Sequence, residues 1–510
     1  MGETYYLTVH ENESVLDALI RADAPSSVVC GGTGKCGKCK VRLLEGELPV
    51  TESDRQHFTA SELEGGLRLA CRAYPEGPVK VEVLSCSEDD FEAVAEHTLS
   101  GVAPAREQSG SYGIAVDIGT TTIAMQLVAL DTGEITGTYT ALNRQRRFGA
   151  DVISRMKVSV EGHKEELRQL IREDLGKGTR SLIRDAGIRA DAVTELAIAG
   201  NATMIHLLMG YSCEGLGAYP FTPVNIGPIE STYESIFGDT FLQARVRILP
   251  GISVFVGGDI VSGLYERNAD LCEEYFLLID LGTNGEMAIG NRERILVTSA
   301  AAGPAFEGGN IRFGVGSVKG AIASVTIGSR GAEVETIAGK APIGICGTGV
   351  IEAVAELLRT GLMDETGCLG EAYFEDGYPL AEAEDGSTIL LTQKDIREIQ
   401  LAKGAVRAGL EILFLRYGIT KEEVARVYLA GGFGFHLNCH KAAAIGLLPE
   451  KLEDKVEIIG NSALSGAVKF LLDPEAFDRT SGIAGCAEEV ILSMDRDFNR
   501  LYMEYMGFEK

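Results

Sequence analysis

The 510-residue chain has no run of 18 consecutive apolar residues, no basic N-terminal stretch leading into an apolar one, and no excess of positive charge. The first absence argues against a helix buried in a bilayer and the second against a secretory leader, so a cytoplasmic protein is the expectation. Lysine and arginine number 47 against 74 aspartates and glutamates, a formal net charge of -27. That field repels phosphate backbones and anionic lipid surfaces alike, so neither nucleic acid nor a membrane is an expected partner. A disulfide framework is lacking too. The eleven cysteines are odd in number. Seven of them (Cys86, Cys213, Cys272, Cys346, Cys368, Cys439 and Cys486) are scattered singly and read as reduced, mostly buried thiols.

What is present is the composition of a globular protein, 45% hydrophobic and 24% charged, in a chain long enough for about three folding units. The first of these has a compact pattern. "TYYLTVHE" alternates like a strand, "SVLDALIRA" spaces Val15, Leu16, Leu19 and Ile20 along one helical face, and "KVRLLEG" and "VKVEVL" again alternate. Between them "VVCGGTGKCGKCK" sets Cys30, Cys36 and Cys39 as Cys-x5-Cys-x2-Cys, and Cys71 in "LACRAYP" follows after 31 intervening residues. Four thiolates in a loop that Gly31, Gly32, Gly34 and Gly37 allow to fold back tightly suit an iron-sulfur cluster. Zinc is the rival, since four-cysteine zinc sites also use Cys-x2-Cys, but zinc ribbons usually present two such pairs and Cys71 has no cysteine close by. Purely structural thiols are the third reading. The unit resembles the 2Fe-2S ferredoxin domain, a β-grasp fold, and its x5 gap is nearer the adrenodoxin-like variant than the plant x4 spacing.

Residues 87 to 111, "SEDDFEAVAEHTLSGVAPAREQSGS", are polar and without sustained period and read as a linker. The expected division is therefore a ferredoxin-like domain over 1–87, a linker over 88–111, and two further lobes over 112–275 and 276–510.

Those lobes are suggested by an internal repeat. "IAVDIGTTTIAMQLV" (114–128) and "LLIDLGTNGEMAIG" (277–290) each give an apolar strand, an Asp, a Gly-Thr turn and a second apolar segment. Such a turn presents backbone N–H groups and hydroxyls to phosphate oxygens, and an Asp at the strand end can hold Mg²⁺ through water. A single copy is as well read as a tight turn capped by Asp. A third element adds weight: "VARVYLAGGFGFHLN" (424–438) is a strand running into Gly431, Gly432 and Gly434, suited to close approach of backbone to adenosine. "GNSALSGAVKFLL" begins a helix with small residues at Ser462, Ala463, Ser465, Gly466 and Ala467, as close packing near a hinge requires.

This order of elements resembles the acetate and sugar kinase, Hsp70 and actin superfamily, a two-lobed α/β ATPase built on a duplicated ribonuclease H-like domain with ATP between its halves. The resemblance makes Asp117 to Thr122 the first phosphate loop, with Gly119, Thr120, Thr121 and Thr122 on phosphate, and Asp280 to Glu286 the second, with Gly282, Thr283 and Asn284. Gly431, Gly432, Phe433 and Gly434 fall on the adenosine loop. In "VGGDIVSGLYE" (256–266), a candidate hinge helix, Asp259 faces the cleft or simply caps the helix, with the cap slightly preferred. Asn201 in "AGNAT" reads as a cap, with a role toward phosphate or the attacking water as the lesser alternative; His436, Cys439 and His440 in "FHLNCH" read as packing or capping groups before metal ligands, and Cys346 in "GICGTG" as a small apolar residue in a turn before a reactive thiol.

The whole chain, ferredoxin domain included, is similar to the reductive activators of corrinoid proteins, with "NRQRRFGADVISRM", "AIAGNATMIHLLMG", "SAAAGPAFEGGNI" and "PIGICGTGVIEAVAELL" extending the likeness beyond the superfamily signature. Two departures are a short connector where longer members carry another domain, and a C-terminus without a Cys-x2-Cys-x2-Cys run. The resemblance implies ATP-dependent return of a Co(II) corrinoid protein to Co(I) by electron transfer from a 2Fe-2S cluster on Cys30, Cys36, Cys39 and Cys71. It also implies Mg²⁺ and water positioned by Asp117 and Asp280, an upstream electron donor, and a homodimer. The competing classes are a small-molecule kinase with a redox domain and a non-catalytic sensor of cluster and nucleotide state.

Overall fold

The computed structural model describes residues 3–10, 13–22, 24, 32, 34, 37–84, 110–149, 151–384, 386–432 and 437–508. Two compact units emerge, one from the described residues of 1–91 together with 144–158, the other from those of 92–143 with 159–510. The expected linker lies almost wholly outside the described residues.

In the first unit β1 (Glu3–Leu7), β2 (Lys40–Glu45), β3 (Leu67–Leu69) and β4 (Val79–Val83) form one sheet in the order β1-β4-β2-β3, every neighbour antiparallel. Strict alternation along β4 turns Val79, Val81 and Val83 inward, where they meet the buried face of the helix Val15–Arg21. That helix starts where the sequence dictates: Ser14 accepts from the Asp17 amide while the Asp17 carboxylate accepts from Ser14, a reciprocal cap that contributes about 1 kcal/mol. The helix Glu52–His57 repeats the device with Thr51 and Asp54. Asp54 is wholly buried because its second oxygen also accepts from Leu69 N at 2.7 Å, fastening β3 two residues before Cys71.

The second unit is built on two six-stranded sheets. The first runs β7-β6-β5-β8-β10-β9, with β5 at Tyr112–Ile118, β6 at Thr122–Ala129, β7 at Ile135–Leu142, β8 at Val193–Gly200, β9 at Ile229–Thr232 and β10 at Arg245–Ile248. The second contains β11 (Tyr275–Leu281), β12 (Gly285–Asn291) and β13 (Arg294–Ala300). After an insertion carrying β14 (Ala321–Gly328), β15 (Gly331–Thr336), β16 (Gly344–Ile345), β17 (Tyr378–Glu382) and β18 (Thr388–Leu391), it continues with β19 (Val424–Ala430), β20 (Val456–Gly460) and β21 (Ala487–Glu489). Its order is β20-β19-β11-β12-β13-β21.

The duplication expected from sequence is visible in the strand pairings. In each sheet a hairpin, β5–β6 or β11–β12, is extended antiparallel on one side by β7 or β13, and in parallel on the other by β8 or β19 and then β10 or β20. The parallel strands read as continuous apolar runs because both faces are covered. One buried cluster contains Ala115, Val128 and Ala197 of the first sheet, Leu249 just after β10, and Leu278, Val297, Tyr428 and Ile459 of the second sheet, joined by residues of the helices Gly258–Glu266 and Ser462–Leu472. Among the described residues no helix is long and apolar enough to cross a membrane.

These two helices follow the equivalent strands β10 and β20, and the small residues at their contact explain why. Ser262 Oγ donates to Ala463 O at 2.7 Å. A Cβ added at Gly466 would stand 2.1 Å from Ser262 O, and one at Gly263 2.7 Å from Ser462 Oγ. The obstacle at Gly466 is backbone, which no rotamer change relieves. Gly466→Val is therefore expected to lower the thermal midpoint by several degrees, corresponding to roughly 1–3 kcal/mol or more of overpacking; an unchanged calorimetric midpoint would mean that the helices part without cost.

Candidate functional site

The turns after β5 and β11 bring the two copies of the repeat together in the second unit, where Thr121 of one and Thr283 of the other both donate to Glu307. Asp117 lies opposite Ala124 on β6 and Ala199 on β8, and Asp280 opposite Glu286 on β12 and Ala430 on β19. Small residues on the flanking parallel strands leave space above each Asp, and the next residue on that side is glycine in both copies, Gly200 and Gly431. A Cβ at Gly431, whose φ is +94°, would stand 2.7 Å from Asp280 Oδ1. Both turns are closed by a glycine amide: Gly119 N donates to Thr122 O at 2.8 Å and Gly282 N to Asn284 O at 3.0 Å.

Helix caps surround these turns. Asn201 caps the helix Ala202–Met209 by accepting from Met204 N, as the sequence suggests, and its amide also donates to Thr120 Oγ1 at 3.1 Å. Asn461 caps Ser462–Leu472 and donates to Asp117 Oδ2 at 2.9 Å. Buried Asn143 donates to Gly119 O and its own amide to Thr121 O, each at 2.9 Å, holding the first turn from beneath. Neither Asn461 nor Asn143 was expected from sequence; Asn143 opens the "NRQRRFGADVISRM" stretch and Asn461 precedes the small-residue helix, and those positions were the available signals.

The cap reading of Asp259 is corrected. Gly257 occupies the N-cap of Gly258–Glu266 and Asp259 lies inside the first turn, accepting only locally from Ile260 N. Its charge instead raises the pKa of Asp117, Asp280 and Glu286. Enclosure pushes Asp117 up to about 7 against the hydrogen bond from Asn461, and Asp259 adds to the rise. Asp280 is likewise pushed to about 7 by enclosure, then by Asp259 and Asp117. Asp259 rises to about 6, chiefly through desolvation, and Glu286 rises well above its ordinary value through desolvation and then the charges of Asp259 and Asp280. All four side chains are half-buried, as befits the lining of a cleft.

The sign of this arrangement is definite. An acid whose folded pKa is raised is held against its preference when ionised, so it lowers stability progressively as pH rises from about 4 to above 7. Asp280→Asn is expected to raise the thermal midpoint of the divalent-free protein, by a few degrees at pH 8 and little at pH 5. A calorimetric midpoint that fell equally at both pH values would remove the case for repulsion.

In the first unit Cys39 and Cys71 are buried free thiols, while Cys30 and Cys36 lie outside the described residues. Ala70 N donates to Cys39 O at 2.8 Å, drawing the two described cysteines to one region. Gly34 and Gly37 have φ of +77° and +69°, and a Cβ at either would come within 3 Å of Arg72 or His57. His57 Nε2 is 3.0 Å from Gly34 O. This glycine cradle beside two buried thiols fits a cluster held by cysteines. Gly37→Ala is expected to cut iron and acid-labile sulfide content by roughly half or more with far-UV circular dichroism unchanged; full cluster content would refute the cradle.

Other expectations meet mixed outcomes. Gly432 ends the described part of the third glycine-rich turn, and Phe433, Gly434 and His436 lie outside it. Cys439 begins a helix capped by Asn438, and His440 Nδ1 is 3.0 Å from Glu453. Cys346 Sγ donates to Ile322 O within a buried turn. Of the six described scattered cysteines, only Cys213 and Cys346 are buried; Cys272, Cys368 and Cys439 are half-buried and Cys486 exposed. The expectation of mostly buried thiols is thus corrected: Cys272 and Cys368 lie in irregular connections and Cys439 and Cys486 at helix ends, where one side faces solvent.

A 2Fe-2S ferredoxin domain joined to an actin-like ATPase is the class these two units define. The family described as "2Fe-2S iron-sulfur cluster binding domain" matches residues 1–76, "RACo middle region" matches 112–270, and "C-terminal domain of RACo the ASKHA domain" matches 274–510. The chain belongs to the RACo family, the reductive activators of corrinoid proteins. It is 28% identical over 98% of its length to a protein of Eubacterium limosum named corrinoid activation enzyme RamQ, of which it covers 96%. A [Co(II) methylated amine-specific corrinoid protein] reductase of Methanosarcina barkeri is 26% identical over 77% of the chain and 76% of its own. A solved structure named reductive activator for corrinoid, iron-sulfur protein superposes with a TM-score of 0.72 at 28% identity, covering 99% of this chain and 98% of that one.

Proposed function

We propose that the chain uses ATP to reduce the Co(II) form of a corrinoid protein to Co(I), restoring it for methyl transfer. The observation that carries this reading is the end-to-end likeness to a named corrinoid activation enzyme in a chain that joins a ferredoxin domain to a phosphate-loop cleft. In this reading Cys30, Cys36, Cys39 and Cys71 hold the 2Fe-2S cluster. When bound, that cluster supplies a one-electron carrier, near about -400 mV for the plant kind.

In the cleft, Asp117 and Asp280 position Mg²⁺ and water, with Asp259 and Glu286 adding to the negative field. The donor set is hard oxygen throughout, as Mg²⁺ prefers. Among the described residues no three acidic, histidine or cysteine side chains converge closely enough to hold an ion alone. That fits an ion whose remaining ligands are water and substrate phosphate. Gly119, Thr120, Thr121, Thr122, Gly282, Thr283 and Asn284 line the phosphates, and Gly431, Gly432, Phe433 and Gly434 the adenosine. The working division is 1–87 for the ferredoxin-like domain, 88–111 for the linker and 112–275 and 276–510 for the two lobes, in a cytoplasmic homodimer supplied by an upstream electron donor.

ATP is needed because a one-electron transfer becomes tenfold less favourable for each ~59 mV of deficit between donor and acceptor. Closure of the cleft on nucleotide changes how the protein grips the oxidised corrinoid partner, and only a difference in affinity between the two states does work on that equilibrium. Anaerobically reduced protein mixed with a Co(II) corrinoid protein should generate the Co(I) absorbance with Mg-ATP and not without it. Cys39→Ala and Asp280→Ala should each abolish the signal. A spectrum unmoved by ATP across several corrinoid partners would overturn the reading.

A further inference from the structure

Glu307 ends the short 3-10 turn Pro304–Glu307 in the "SAAAGPAFEGGNI" stretch, and its carboxylate reaches both phosphate-loop turns. It accepts from Thr121 Oγ1 at 3.2 Å and from Thr283 Oγ1 at 3.1 Å to each oxygen. A Cβ at Gly282 would stand 3.9 Å from Glu307 Oε1, so the turn backbone runs alongside the same carboxylate. The position is built in. Ala305 and Phe306 are buried, and Gly308, at φ +77°, passes so near Val315 that a Cβ would meet its carbonyl oxygen at 2.4 Å.

Resting on the reading of this cleft as an ATP site, we propose that Glu307 is the general base for hydrolysis of the γ-phosphoryl group. Each threonine hydroxyl has one proton, so it serves either Glu307 or a phosphate oxygen. Once phosphate oxygens take those protons, the carboxylate positions that faced Thr121 and Thr283 turn to the edge of the phosphate, and a water between the two replaces the hydroxyls as their donor. The carboxylates of Asp117 and Asp280 face the cation in this reading, which makes them weaker proton acceptors than Glu307. In the step, the water oxygen bonds to the γ-phosphorus and the bond to the β–γ bridging oxygen breaks. Its electron pair leaves with ADP, and the water proton passes to Glu307 and from there to phosphate or solvent.

The deciding experiment uses the full chain and three variants, Glu307→Gln, Glu307→Asp and, for comparison, Thr283→Ala. Glu307→Gln keeps an acceptor for the hydroxyls and cannot take a proton. Single-turnover hydrolysis is expected to fall by roughly 10²–10⁴-fold, while the Kd for a fluorescent ATP analogue stays within about threefold, well under 1 kcal/mol. Glu307→Asp should retain intermediate turnover, and it decides the matter if the Gln variant does not fold. Hydrolysis by Glu307→Gln within about tenfold of the parent would overturn the proposal. So would a parallel loss of turnover and affinity like that of Thr283→Ala, because Glu307 would then be only a brace for the turns. A parent chain that binds no nucleotide would overturn the ATPase reading and this proposal together, whereas a parent that hydrolyses ATP beside an active Gln variant removes the Glu307 proposal alone.

Discussion

Mutual repulsion among four half-buried carboxylates is the constraint around which the larger unit is arranged. Asp117, Asp259, Asp280 and Glu286 come from four different elements, and each raises the pKa of, or is raised by, at least one other. A polyphosphate would add still more negative charge there, which is why the proposed reading pairs it with a cation. The protein meets the constraint with rigid duplication. Two hairpins deliver an Asp at equivalent strand ends, two glycine amides close the turns, and capping asparagines tie the turns to helices. Repulsion among these carboxylates is, on the proposed reading, the cost of complementarity to a cation-bound phosphate.

The same duplication explains the small residues far from any phosphate. The helices Gly258–Glu266 and Ser462–Leu472 follow the equivalent strands β10 and β20, and each contributes a carboxylate or its partner at the amino end: Asp259 on one, Asn461 before the other. Their close approach through Gly466 and Ser262 therefore sets the spacing of the groups at the cleft floor. Packing and chemistry meet in one helix pair.

How much of this was legible in the sequence depended on whether a residue's role is local. The strand-turn-strand repeats, the helix cap at Asn201 and the small-residue helix at 462 were readable because each is fixed by neighbours within a few positions. Asp259 was misread because an acid near a helix start suits a cap as well as a cleft, and only the third dimension shows that Gly257 is the cap. Asn143, Asn461 and Glu307 act across 24, 344 and 186 residues respectively, beyond the reach of any spacing rule. The cysteine loop was readable as chemistry before it was readable as structure, since its glycines at 34 and 37 take the positive φ values that its spacing demands.

Glu307 connects these levels. It touches a hydroxyl from each copy of the repeat, so under the proposed reading the state of its carboxylate reports whether both turns are engaged by the same anion. Hydroxyls that give up Glu307 for phosphate change partners in both halves at once, and a nucleotide bound by one turn alone leaves the bridge half intact. Free energy of ATP binding is therefore available for changing affinity elsewhere only when both repeats close on it. A coupling of this kind needs no contact between the nucleotide and the electron's path. It requires that the corrinoid partner bind the closed and open forms unequally, by about 1.4 kcal/mol for each tenfold of advantage, and that hydrolysis return the bridge so that the cycle can begin again.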